Sequence, residues 1–188
     1  MRVIDYTRGY QLNPSVAATT AALEKEVFAR FRELYPGDAY AQRYEIGFGL
    51  PFYHIMDVLQ GEIEGKVIVD IGCGSHTFNG RAFVRPGDSA KYLPWLCRGL
   101  HILGVHVIGI DIGDMTGEPF EHYQGDVQDF NTWRPLQGRQ VDLIHERLLY
   151  DSPEMMKLHE GELETLQCRR IIFAQIVSRD EGIFLHAN

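Results

Sequence analysis

The segment VIVDIGCGS, residues 67–75, constrains this chain more than any other. Residues 66–71, KVIVDI, form an apolar, β-branched run, the pattern of a strand buried on both faces of a parallel sheet. The run carries Asp70 near its end, and Gly72 and Gly74 follow one residue apart. Glycine lacks Cβ, so the backbone there can turn sharply and approach another molecule closely. In an open α/β sheet, ligands bind beyond the carboxyl ends of the strands, where the strand order reverses. The segment therefore predicts a parallel sheet with a ligand-binding turn.

The rest of the chain supplies partners for that strand. HVIGID (106–111) reads as a second strand, residues 120–123 as a short third, VDLIH (141–145) as a fourth and GIFLH (182–186) as a fifth. Helical patterns fall at 92–103 and 160–176. Strands alternating with helices imply right-handed crossovers and a doubly wound sheet. Ahead of it, Asn13 and Pro14 form a helix start, and Val16, Leu23, Val27, Phe31 and Leu34 recur at helical spacing until Pro36-Gly37. An aromatic stretch follows, interrupted by Gly47, Gly49 and Pro51, and resumes as a helix through Leu59. The expected organisation is a helical cap over residues 1–60 and an α/β domain with a mostly parallel sheet of about five strands over residues 61–188.

Composition narrows the function. A formal net charge of −8 repels phosphate backbones and disfavours nucleic acid as a partner. No apolar stretch reaches the ~18 residues needed to span a membrane. The first residues lack the apolar core of a signal peptide, so the expected location is cytoplasmic. Cys73, Cys97 and Cys168 show no ligand spacing, and no metal site is expected. Cys73 reads first as a small packing residue within the turn.

The turn also selects among cofactors. The dinucleotide fingerprint G-x-G-x-x-G requires a third glycine where Thr77 stands, and a carboxylate such as Asp70 repels a pyrophosphate. No Gly-Lys-Ser/Thr run marks a phosphate loop. An acid beside the turn suits a ligand that carries positive charge, and Asp111 at the tip of the second strand suits ribose hydroxyls. The ordered set VIVDIGCGS, VIGIDIG, YQGDVQDF and VDLIHERLL is similar to the class I S-adenosylmethionine-dependent methyltransferases over roughly residues 60–188. That resemblance implies a Rossmann-like domain binding S-adenosyl-L-methionine. It places Asp70 near the methionine amino group and Gly72, Cys73 and Gly74 along the methionine and ribose. Asp111 would hold the ribose hydroxyls, Asp126 the adenine amine, and Ile112 and Val127 the faces of the adenine ring. His145 would close the cofactor site at the fourth strand. For Asp70, Asp111 and Asp126 the competing reading is capping of their own loops.

Three departures from the family pattern stand out. His76 replaces the third glycine of the first motif. The stretch from Asp70 to Asp111 is roughly twice the ~20 residues of the related spacing in dinucleotide folds, and the surplus, residues 75–92, is expected to act as a lid or substrate contact. The sequence ends at the fifth strand, without the usual closing helix and strand pair, so an exposed edge there predicts a homodimer. For chemistry, His145 is the candidate general base and Glu146 a candidate substrate ligand, with helix capping by the His-Glu-Arg run as the competing reading. His54, His76, Tyr150 and Asp151 are further candidates. The aromatic residues Tyr44, Phe48, Phe52 and Tyr53 read as core or as a pocket wall. The sequence thus points to a methyltransferase acting on a small molecule, or alternatively to a catalytically silent S-adenosylmethionine-binding partner domain.

Overall fold

The computed structural model describes residues 1–5, 13–36, 48–78, 81–82, 93–147, 174–175 and 178–187. A six-stranded, wholly parallel sheet forms its centre. The strands are β1 (Arg2–Asp5), β2 (Val67–Ile71), β5 (His106–Asp111), β6 (Glu121–Gln124), β7 (Val141–Arg147) and β8 (Ser178–Ala187), in the spatial order β1-β8-β7-β2-β5-β6. The short strands β3 (Thr77–Phe78) and β4 (Arg81–Ala82) form a separate antiparallel hairpin. The helices are α1 (Pro14–Leu34), α2 (Leu50–Val58), α3 (Trp95–Ile102) and α4 (Phe130–Trp133), the last continuing as a 3₁₀ turn over Arg134–Leu136.

The α/β class and the doubly wound order agree with expectation, but the strand count does not: six strands, not five. The missing strand is β1, which lies in the segment expected to be all helical cap. Its residues pair with β8, Ile4 opposite Leu185. Four residues are too few for alternation to be read, and only the open side of β8 gives them a partner. This also changes the basis of the expected homodimer, because β8 is paired on both sides, with β7 and with β1. The predicted helix over 160–176 lies outside the described residues except for Ala174 and Gln175, which are helical.

Two apolar clusters sandwich the sheet, and period-two alternation assigns each strand residue to one of them. Ile68, Val107, Leu143 and Leu185 face α1, α2 and α3, together with Val27, Phe31, Phe48, Phe52, Met56 and Leu100. Val69, Ile71, Ile108, Ile110 and Ile144 face Trp133, Leu136 and Ala174. Each fully buried apolar side chain contributes about 1.5–3 kcal/mol. Phe48 and Phe52 are core residues, stacked at 4.7 Å between ring centroids, while Tyr44 lies outside the described residues. The stack sits close because Gly99 of α3 leaves room: a Cβ there would lie 2.2 Å from Phe48 Cε2.

The start of α1 follows the sequence signal. Asn13 Oδ1 accepts the N–H of Ser15 at 3.1 Å, and Pro14 occupies the first turn. The Asn13 N–H donates to Asp57 Oδ1 at 3.1 Å, tying the start of α1 to the end of α2.

Candidate functional site

The chain leaves β2 towards β5 on one side and later returns to β7 on the other. The order therefore reverses between β2 and β7, and the crevice of a doubly wound sheet opens at that place. β2 ends there in Ile71, and the turn Gly72-Cys73-Gly74 follows. Gly72 has φ 65° and Gly74 φ 99°, both in the left-handed region where a Cβ is strained. The turn stays attached to β5: Gly72 N–H donates to the Ile110 carbonyl at 2.8 Å, and Gly74 N–H to Asp111 Oδ2 at 3.0 Å. Asp111 Oδ1 accepts the N–H of Gly113 at 2.8 Å. Asp111 thus binds both loops at the strand tips. Each of its oxygens still carries a second lone pair, because a carboxylate accepts about four hydrogen bonds.

Behind the turn, one row of residues crosses the sheet on the face towards the cap. The register sets Gly109 opposite Asp70 and Asp70 opposite His145. Asp70 and His145 are both buried, and His145 Nδ1 lies 2.7 Å from Asp70 Oδ1. The other oxygen, Asp70 Oδ2, accepts a weak hydrogen bond from the Cys97 thiol at 3.5 Å. Cys73 Sγ lies 3.4 Å from Met115 Sδ. His145 Nε2 is buried and has no hydrogen-bond partner among the described residues. Glu146, the neighbour of His145, is equally buried but is on the opposite face of the sheet, as alternation along β7 requires.

The outer part of the expected site lies at the tips of β5 and β6. Ile112 is 48% exposed, which is unusual for an isoleucine directly after a buried strand. Asp126 is exposed, and its Oδ1 accepts the Gln128 N–H at 2.8 Å, so the expected loop capping does occur there. Val127 is buried, and its carbonyl accepts the Trp133 indole N–H at 2.8 Å. The structure therefore gathers Asp70, Gly72, Cys73, Gly74, Asp111 and His145 at the switch point. Ile112, Asp126 and Val127 line the strand tips beyond β5, and Glu146 faces away.

The segment after the turn packs across the loop that follows β5. His76 N–H donates to the Asp114 carbonyl at 2.8 Å, and Asp114 N–H to Thr77 Oγ1 at 3.0 Å. Gly113 permits this approach, since a Cβ on it would sit 2.0 Å from the Thr77 carbonyl oxygen. His76 Nε2 lies 2.9 Å from Glu118 Oε1. Glu118 also receives Arg98 of α3, with Nε to Oε2 at 2.9 Å, and the guanidinium lies over the rings of Tyr35 at 4.5 Å and Trp95 at 4.8 Å. The Arg98–Glu118 pair had no signature in the sequence. Arginine on an apolar helix and glutamate in a loop become informative only once folding has buried both. Burial pushes the Tyr35 phenol up, and nearby Arg98 partly opposes this. The expected lid, residues 75–92, is described only at 75–78 and 81–82. Tyr150 and Asp151 lie outside the described residues. His54 is buried in α2.

Among the described residues, no group of three or more His, Cys, Asp or Glu side chains is placed to hold a metal. No helix among them is long and apolar enough to cross a membrane. Fold and site define a doubly wound parallel α/β domain with a glycine turn at its switch point. In comparisons with known proteins, the chain matches no family model and no curated protein.

Proposed function

We propose that this chain binds S-adenosyl-L-methionine and transfers its methyl group to a small-molecule acceptor. One observation carries the reading: at the switch point the left-handed Gly72 and Gly74 turn against the tip of β5, Gly72 held by the Ile110 carbonyl and Gly74 by Asp111, whose carboxylate has acceptor capacity left among the described residues beside the exposed Ile112. Ribose hydroxyls are the natural partners of such a carboxylate, and an exposed apolar side chain next to it suits the face of an adenine. Asp126 stands further along the same edge for the adenine amine. When bound, the sulfonium supplies an electrophilic methyl group. The protein's contribution is then orientation of the acceptor and removal of its proton where the acceptor carries one. His145 is the residue for that proton, because Asp70 holds its Nδ1 and leaves Nε2 as the working atom.

Titration calorimetry with S-adenosylmethionine, S-adenosylhomocysteine and NAD tests the cofactor. The two sulfur nucleosides are expected to bind and NAD to give no heat. Asp111→Ala is expected to weaken S-adenosylhomocysteine binding at least about tenfold, the loss of about 1.4 kcal/mol or more, with the far-ultraviolet circular dichroism spectrum retained. Unchanged affinity in that variant would remove Asp111 from the ribose site. Absence of binding to the wild type would remove the reading altogether.

A second reading, a silent S-adenosylmethionine-binding partner domain, is favoured by the enclosure of His145 and by Glu146 lying on the other face. Transfer of a labelled methyl group to a broad small-molecule panel separates the two. Binding with no transfer supports the silent domain, and any labelled product supports the enzyme.

A further inference from the structure

Cys73 belongs to the turn and Cys97 to α3, yet folding brings their sulfurs to one point. That point lies above Gly109. A Cβ built on Gly109 would be 2.9 Å from Cys73 Sγ and 3.4 Å from Cys97 Sγ, so the absent side chain is what leaves room for both thiols. Both sulfurs thus lie within 3.4 Å of the same point. The Cys97 thiol also has a buried carboxylate as acceptor, Asp70 Oδ2 at 3.5 Å, while His145 engages the other Asp70 oxygen. Cys73 is 9% exposed and Cys97 wholly enclosed, so an oxidant arriving from solvent meets Cys73 first.

We propose that Cys73 and Cys97 are a redox-active dithiol that closes to a disulfide under peroxide, with Cys73 as the attacking thiol, Cys97 as the resolving thiol and Asp70 as the acceptor of the Cys97 proton. The chemistry balances as two thiols and one hydrogen peroxide giving one disulfide and two waters. The Cys73 thiolate attacks one peroxide oxygen, the O–O bond breaks, and a sulfenic acid forms with loss of hydroxide, which takes up the Cys73 proton as water. Cys97 sulfur then attacks the Cys73 sulfur, the S–O bond breaks, and the hydroxyl leaves as water with the Cys97 proton passed on by Asp70. The product ties the turn at the tip of β2 to α3.

Burial pushes the Cys73 thiol up to about 11 and likewise raises Cys97, so slow oxidation is the expected outcome at neutral pH. The thiolate fraction of Cys73, and with it the rate of the first step, is expected to rise about tenfold per pH unit from about pH 7 to about pH 9 in the native protein. The same thiol in urea-unfolded protein should level off near its ordinary value, about 8.5.

The test uses the full chain carrying Cys168→Ser, treated with hydrogen peroxide under native conditions and then alkylated. Intact-mass and peptide mass spectrometry are expected to show loss of two hydrogens and a peptide linking Cys73 to Cys97. Adding Cys97→Ala should abolish that species and leave a Cys73 sulfenic acid that dimedone traps. Asp70→Asn should retain the trapped sulfenic acid but slow its conversion to disulfide. The proposal is overturned if both thiols remain alkylatable after peroxide. It is equally overturned if Cys73 proceeds to sulfinic acid with no link to Cys97.

Discussion

At the scale of single residues, the pair Asp70–His145 shows how a strand tip acquires chemical character. Its 2.7 Å contact is buried at both ends. Breaking a buried polar or charged pair leaves one partner uncompensated, at a cost of about 3–5 kcal/mol. His145→Ala is expected to destabilise the protein by that amount, read as a lower urea midpoint at unchanged slope; a loss under about 1 kcal/mol would mean that water reaches the pair. At the surface, Glu121 behaves differently. Partial burial pushes its carboxyl up, but hydrogen bonds from Arg139, Tyr123 and His106 outweigh this and bring it down to about 2. The folded protein therefore favours the ionised form. That contribution is complete above the ordinary value of 4.5 and is lost as pH falls towards 2. Glu121→Gln should lie below wild type in stability above about pH 4.5, by about 0.2–1 kcal/mol as for other solvent-exposed pairs, and the two curves should meet near pH 2. Parallel curves across that range would show that the hydrogen bonds do not act on the ionised form.

At the scale of elements, local signals in the chain were dependable where they had a mechanism. Asn13-Pro14 begins α1, and His106–Asp111 is a strand over the residues its β-branched run marks. Asn13→Ala removes the acceptor for Ser15 N–H and should cost about 1 kcal/mol, measured by thermal or urea unfolding; the Asp57 contact, made by the Asn13 backbone, survives the substitution. The candidate site was legible to a similar degree. The glycine turn, Asp111 and His145 converge as their positions at strand ends suggested. Glu146 does not join them, because adjacent residues on a strand face opposite sides, and nearness in the chain does not put His145 and Glu146 in one site. Cys97, Arg98 and Glu118 carry no site signal in the sequence, since only packing brings α3 and the loop before β6 against the turn.

At the scale of the whole molecule, β1 is the informative surprise. It covers the flank of β8 that would otherwise present a row of unpaired backbone groups. Removing residues 1–5 should therefore expose β8, lower the thermal midpoint and produce concentration-dependent association in light scattering. A truncated protein that stays monomeric with unchanged stability would show that the edge needs no cover. The amino-acid sequence alone determined the α/β class, the interior strands, the start of α1 and the glycine turn that follows β2, because periodicity, caps and glycine positions act over a few residues. Tertiary structure decided the sixth strand, the burial of Asp70 against His145, the meeting of two thiols over Gly109 and the Arg98–Glu118 pair. These depend on which distant segments the sheet register and the helix layer press together, and no local pattern encodes that.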